Sequence, residues 1–405
     1  MEVKLELQHK DKVIYSLYAF QTLKKFIIWG SGFVVAPFLP ITCIFLKFFI
    51  NSDKTKGIKR AAFITNKLFY DDKEKNILNG SNKVTQGLIE DFTDRNWQVV
   101  IIPMSQSLFV SIYMIVRKKM FLLHLLSSRQ IIVSMPGASG IHMAYLRLMC
   151  GGNVVFIAHN PEYFHRLDWL RNTKPISRKL KHFVKLIKGT FGDILAVNLS
   201  SKLLVLGESE LEIYWKRLNV FRRNEKIKYL PYVPPKYFQK NCKQILQNKK
   251  EVWIVGSFAD YIGENRTTTA FFQNGYRINK MFEMHNLNLI SVGNGVDFPF
   301  AKSRGFISNK RYLDLQHNVL GIVIPMDWGW GFKTKIGDSL FMNQRIFVDA
   351  KTAKKILSLS DSVTVVKDWS KFKYIKESSA LTRKREKLKN RIITQRQRLM
   401  DEIAF

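Results

Sequence analysis

A chain of 405 residues exceeds what one hydrophobic core usually serves, so two domains are expected. A hydrophobic share of 46%, with 30 Phe, 14 Tyr and 8 Trp, excludes an intrinsically disordered protein. Lys and Arg outnumber Asp and Glu by 65 to 32, a formal charge of +33 that draws polyanions: nucleic acid, anionic lipid or phosphate-rich substrates.

The first notable segment in chain order is apolar. Phe26–Leu46 carries no charged residue and is long enough to span a membrane. Pro37 and Pro40 fall inside it and would bend a straight helix, while Lys24 and Lys25 on one side and Lys47 and Lys54 on the other set no orientation. A single span, a re-entrant hairpin and a helix packed on the protein all fit. No Ala-x-Ala site follows, which speaks against a cleaved signal peptide. Cys43, Cys150 and Cys242 lie far apart and match neither a metal pattern nor a disulfide framework.

From Lys59 onward, short apolar strands alternate with helical stretches. Arg60–Asn66 reads as a strand, Asn79-Gly80-Ser81-Asn82 as a turn and Lys83–Arg95 as a helix. Gln98–Pro103, Gln130–Ser134 and Asn153–Ala158 are further strands, with a helix over Ser139–Cys150. Strand, helix, strand in succession implies a parallel sheet covered by helices. After the stiff connector Leu230-Pro-Tyr-Val-Pro-Pro235 the pattern restarts with Glu251–Gly256, Leu287–Gly293, Val319–Pro325 and Arg345–Asp349. The expected fold is α/β, with two Rossmann-like doubly wound domains facing a cleft. Residues 59–230 form the first domain and 251–366 the second, joined by a linker over 231–250. An extension over 1–58 containing the apolar segment 26–46 precedes them, and a basic helix over 367–405 follows.

Function must come from sites rather than from this architecture. Pro325-Met-Asp-Trp-Gly-Trp-Gly-Phe-Lys-Thr-Lys-Ile-Gly-Asp338 follows a strand and opens a helix. Glycines admit a ligand to the backbone, and the amides and positive dipole of a helix start attract phosphate. Lys333 and Lys335 add charge at that end, and Asp338 is placed to accept hydrogen bonds from ribose hydroxyls. A plain strand-to-helix turn with solvated lysines is the alternative.

On the first domain, His159 and Glu162 follow the strand that ends at Ala158, at the crevice edge of such a sheet. His159 suits contact with a sugar hydroxyl and Glu162 suits acceptor positioning or base work; turn bonding and helix capping explain them equally simply. Asn79, Gly80 and Ser81 are a candidate acceptor or phosphate loop, or merely a turn. Arg171–Lys188 is rich in Lys and Arg and has no acid, and Ile176, Leu180, Phe183, Val184 and Ile187 recur along it at helical spacing. That pattern fits a helix lying on anionic lipid, and also a helix covering the sheet.

The second-domain stretch resembles the core of family-four GT-B glycosyltransferases, which build lipopolysaccharide, capsule and glycolipids. Gly331, Lys333, Lys335, Asp338, Leu340 and Arg345–Val348 stand in that family's order, as do Gly256, Val292-Gly293-Asn294-Gly295 and Gly305–Leu313. The resemblance covers roughly residues 60 to 365. It implies a glycosyltransferase that moves a sugar from a nucleotide-sugar donor to a lipid-linked saccharide or polysaccharide acceptor in cell-envelope glycan synthesis. It further implies a retaining transfer without a metal, at the cytoplasmic face of the membrane. Donor-binding residues would be Gly331, Phe332, Lys333, Thr334, Lys335, Asp338, Gly256, Gly293 and Arg266, and His159 would face the donor sugar. Trp330 stands where the family's first glutamate is found, and Arg266 is the nearest counterpart of the usual basic residue after the first strand.

No Walker loop, Gly-x-Gly-x-x-Gly, His-Glu-x-x-His or Asp-x-Asp occurs, so no cofactor or metal is expected. The basic charge carries no nucleic-acid motif with it. The expected partners are a nucleotide-sugar, a lipid-linked saccharide and an anionic membrane surface. A sugar-nucleotide epimerase on the same fold and a non-catalytic binder of anionic polymers are the alternatives.

Overall fold

The computed structural model describes residues 37–41, 43, 59–66, 80–105, 107–134, 139–151, 153–172, 176–221, 224–240, 249–255, 266–293, 298–324, 333–356, 359, 362–371 and 379–404. Strands β1 (Arg60–Asn66), β2 (Gln98–Met104), β3 (Gln130–Ser134), β4 (Asn153–Ala158), β5 (Lys202–Val205) and β6 (Ile227–Tyr229) form one sheet in the order β2-β1-β3-β4-β5-β6. Every pairing in it is parallel. Such strands are covered on both faces, which is why β3 (Gln-Ile-Ile-Val-Ser) is buried along its whole length. A second parallel sheet contains β7 (Glu251–Val255), β8 (Asn288–Val292), β9 (Lys302–Ser303), β10 (Val319–Ile324), β11 (Arg345–Asp349) and β12 (Thr364–Val366), ordered β12-β11-β10-β7-β8-β9. Counted within its own domain this is the 3-2-1-4-5-6 order of dinucleotide-binding folds, and its chain reversal places a crevice beyond the ends of β7 and β10.

The first sheet is flanked by α1 (Gly80–Asp94), α2 (Leu108–Arg117), α3 (Lys119–Ser127), α4 (Ser139–Cys150), α5 (Glu162–Asn172), α6 (Ile176–Leu199) and α7 (Glu208–Ile213). Then come α8 (Lys236–Lys240) in the connector and α9 (Arg266–Glu283), α10 (Asn309–Asp314), α11 (Thr334–Phe341) and α12 (Ala350–Lys355) around the second sheet, with α13 (Ser379–Ala404) last. Three helices end the same way before a strand. Asn96, Asn286 and Asn343 take positive φ after α1, α9 and α11. The next amides, of Trp97, Leu287 and Gln344, donate back to Phe92, Phe282 and Ser339. Asparagine tolerates this left-handed turn, which closes the last helical carbonyls and aims the chain into the sheet.

The helix α13 straps the two domains together. Leu388 and Ile392 join the core of the second domain, while Leu399, Met400 and Ile403 join the core of the first. Arg396 donates to Asp91 Oδ2 at 2.7 Å and to the Pro231 carbonyl at 3.1 Å, tying helix, α1 and connector.

Of the apolar segment at 26–46, only residues 37–41 and 43 are described. Leu39 and Cys43 are buried in the first domain's core, whereas Phe38 and Ile41 are exposed. Among the described residues no helix is long and apolar enough to cross a membrane. The membrane span expected there thus has no support from the described residues, and part of the segment packs on the protein.

Candidate functional site

The two sheets bring the start of α1 against the start of α11. A Cβ on Gly80 would stand 2.6 Å from Thr334 Oγ1, so a larger residue at 80 would require the Thr334 side chain to shift. Lys83, one turn into α1, donates to Asp338 Oδ2 at 2.6 Å, and its ammonium lies 4.2 Å from the centre of the Phe238 ring. Tyr232 in the connector donates to Asp338 Oδ1 at 2.7 Å. Tyr232 comes this close because Gly337 has no side chain, a Cβ there falling 2.2 Å from the Tyr232 ring. Burial and the Asp338 charge hold the Tyr232 phenol well above its ordinary range, so it keeps its proton. Both oxygens of Asp338 are therefore engaged within the protein. The aspartate expected to meet ribose is the buried centre of an interdomain clasp.

Lys335 occupies the first turn of α11 and reaches the crevice of the second sheet. Its Nζ donates to the carbonyl of Val255, the last residue of β7, at 2.7 Å. Desolvation, and then the charge of Lys333, push the Lys335 ammonium down to about 7. A cation at a helix start is opposed by the dipole, so an anion placed there relieves both helix and lysine. Gly293 closes β8 at the same edge with φ 149°. Arg266 is the first residue of α9, the helix that follows β7. Gly256, Gly331, Phe332 and Asn79 lie outside the described residues.

On the first domain, His159 is buried directly after β4. Its Nε2 is 3.0 Å from Ser134 Oγ, which is 2.6 Å from Thr85 Oγ1, which donates to the Ser81 carbonyl at 3.1 Å. Each hydroxyl has one proton. Thr85 gives its own to Ser81, so Ser134 donates to Thr85, and His159 Nε2–H donates to Ser134. The relay fixes the tautomer and leaves Nδ1 as the accepting nitrogen. Burial pulls His159 down to about 4, so the ring is neutral near pH 7. The relay also links two expected site residues, His159 and Ser81, through Ser134 and Thr85, which sequence reasoning missed. Ser134 ends β3, and the rule that ligands meet strand ends would have marked it.

Glu162 opens α5. Its amide donates to Asp193 Oδ2 at 2.8 Å, and its Oε2 accepts from Arg166 Nε at 3.0 Å. Asp193 also accepts from Tyr214 at 2.7 Å, and burial raises its carboxyl to about 7. Glu162 and Arg166, with Lys185 and Lys188 of α6, line a cavity of about 510 Å³. Among the described residues no group of three or more His, Cys, Asp or Glu is gathered to hold a metal ion.

No family model and no curated protein matches the chain. Among solved structures, sucrose-phosphate synthase from Thermosynechococcus elongatus aligns with a TM-score of 0.51 at 10% identity, over 85% of this chain and 94% of that one. HepE from Anabaena, in complex with UDP and glucose, aligns over 85% and 93% at 12% identity and a TM-score of 0.42. A glycosyltransferase from Rickettsia africae aligns over 86% and 93% at 9% identity and a TM-score of 0.42. At these identities the likeness is one of fold. The chain has two parallel-sheet α/β domains resembling those of the GT-B glycosyltransferases.

Proposed function

We propose that this protein is a glycosyltransferase that moves a sugar from a nucleotide-sugar donor to an acceptor held by its first domain. The observation that carries the reading is Lys335. A partly buried ammonium stands at the end of β7 in the first turn of α11, anchored on a backbone carbonyl. This is where doubly wound sheets receive a nucleotide's diphosphate. Lys333 adds positive charge beside it.

In the reaction the bond from the anomeric carbon to the diphosphate oxygen breaks, and a bond from an acceptor hydroxyl to that carbon forms. The acceptor proton leaves with the released nucleoside diphosphate. Lys335 and the α11 amides stabilise the negative charge that grows on the leaving group, which lets the transfer run without a divalent cation. His159, neutral and fixed by Ser134, accepts a hydrogen bond from a donor-sugar hydroxyl at Nδ1.

The acceptor is a lipid-linked saccharide of the cell envelope, met at an anionic membrane surface on its cytoplasmic side. The residues of α6 that turn inward are His182, Gly189, Gly192, Asp193, Ala196 and Val197. Ile176, Leu180, Phe183, Val184 and Ile187 are all exposed, so the apolar stripe does not cover the sheet. Exposed basic side chains flank it, as on helices that lie in a lipid interface.

Incubation with UDP- and GDP-sugars and a membrane lipid extract, with and without EDTA, tests this reading. Acceptor-dependent release of nucleoside diphosphate that persists in EDTA is expected. Failure to bind any nucleotide overturns the proposal, and turnover without acceptor marks an epimerase instead.

A further inference from the structure

The cavity of about 510 Å³ lies beside Glu162, three residues after His159, the histidine that follows β4. The starts of α2, α4 and α5 bound it together with the middle of α6. Its charged lining is three cations, Arg166, Lys185 and Lys188, against one acid, Glu162. Arg166 already balances Glu162 through the 3.0 Å contact, so the charge of the two lysines is left in excess. Lys185 is held below its usual range by desolvation and by the neighbouring charges of Arg166 and Lys181, as cations are when they crowd together. The rest of the wall includes Leu108, Phe109 and Ile141, which gives an apolar floor of a size that suits a small molecule. Lys185 follows Val184 and Lys188 follows Ile187, so the basic wall continues into the exposed apolar stripe of α6.

We propose that this cavity binds the phosphate of the acceptor, as a phosphomonoester or a diphosphate, through Arg166, Lys185 and Lys188. A compact anion between two ammonium groups and a guanidinium forms charge-assisted hydrogen bonds and relieves the crowding. That the anion belongs to the acceptor rests on the transfer reading; that the cavity holds an anion does not. The same anion chemistry reaches the cavity from a soluble sugar phosphate or from a lipid whose chain lies along α6.

Calorimetric titration of inorganic pyrophosphate into the full-length protein tests the anion site. Lys185 and Lys188 are both exposed, so a double K185Q/K188Q variant keeps the fold. It is expected to weaken one pyrophosphate-binding step by about tenfold or more, with UDP affinity unchanged. Lys335→Ala is expected to keep that step while losing UDP affinity. A K185Q/K188Q protein that binds pyrophosphate as the wild type does overturns the inference, whether or not UDP binds. Two further arms identify the source. Lysine-dependent binding of a hexose 6-phosphate marks a soluble acceptor, and lysine-dependent binding of vesicles carrying polyprenyl diphosphate, over phosphatidylcholine alone, marks a lipid-borne one. Binding of neither refutes the acceptor role.

Discussion

Lys83 Nζ lies 2.6 Å from Asp338 Oδ2, and this ion pair joins α1 of one domain to α11 of the other. Both partners are shielded, with side-chain exposures of 12% and 2%. Removing one leaves a buried charge uncompensated, which typically costs about 3 kcal/mol or more. Lys83→Ala is expected to lower stability by that order and to widen the angle between the domains. Denaturant unfolding and small-angle scattering check both, and an unchanged scattering profile with unchanged stability rules out the clasp.

His159 gives stability a sign-defined pH dependence. Its folded-state value of about 4 is below the 6.5 of an unfolded histidine. Between those two values the unfolded chain binds the extra proton, so stability is full above pH 6.5 and is lost as pH falls toward 4. The whole window is worth about 3 kcal/mol. Denaturant midpoints at pH 7 and pH 5, compared between wild type and His159→Gln, should show a smaller loss in the variant. Equal losses mean that His159 does not titrate in this window.

Lys335 couples nucleotide binding to protons. With its ammonium near 7 in the free protein, much of it is neutral at pH 8, and a bound diphosphate favours the charged form. Binding should therefore take up a proton, and affinity should fall as pH rises from 7 to 9. Titration in buffers of different ionisation enthalpy measures the uptake. A pH-independent affinity over that range contradicts an ammonium on the phosphate.

The outward stripe of α6 should govern membrane association. Substituting Leu180, Val184 and Ile187 together by Ser should abolish co-sedimentation with anionic vesicles, each Leu or Ile having contributed about 1.5 kcal/mol or more of burial in lipid. Thermal stability should hold, since all three are exposed. Undiminished sedimentation would show that the stripe does not carry the membrane contact.

The long buried strands of both sheets were legible because such parallel strands are apolar along their length, and Gln130–Ser134 and Arg345–Asp349 are found as read, whereas the short edge strands β6, β9 and β12 were not. The turns at Asn96, Asn286 and Asn343 were not, since asparagine serves many loop roles. Asp338 illustrates a deeper limit. Its place in a local pattern suggested ribose, but its partners Lys83 and Tyr232 lie 255 and 106 residues away in the chain. No window of sequence shows that pairing. For α6, helical spacing revealed a stripe but not its direction. The inward face uses Gly189, Gly192 and Ala196, because α4 packs so closely that a Cβ on Gly140 would meet the Gly192 carbonyl.

The most direct test of the donor site is calorimetric titration of UDP and GDP into the full-length protein and its Lys335→Ala variant, with folding checked by circular dichroism. Saturable binding of one nucleotide by the wild type, weakened about tenfold or more in the folded variant, is the predicted result. Binding of neither nucleotide by the wild type, or equal binding by both proteins, would contradict a diphosphate held at Lys335.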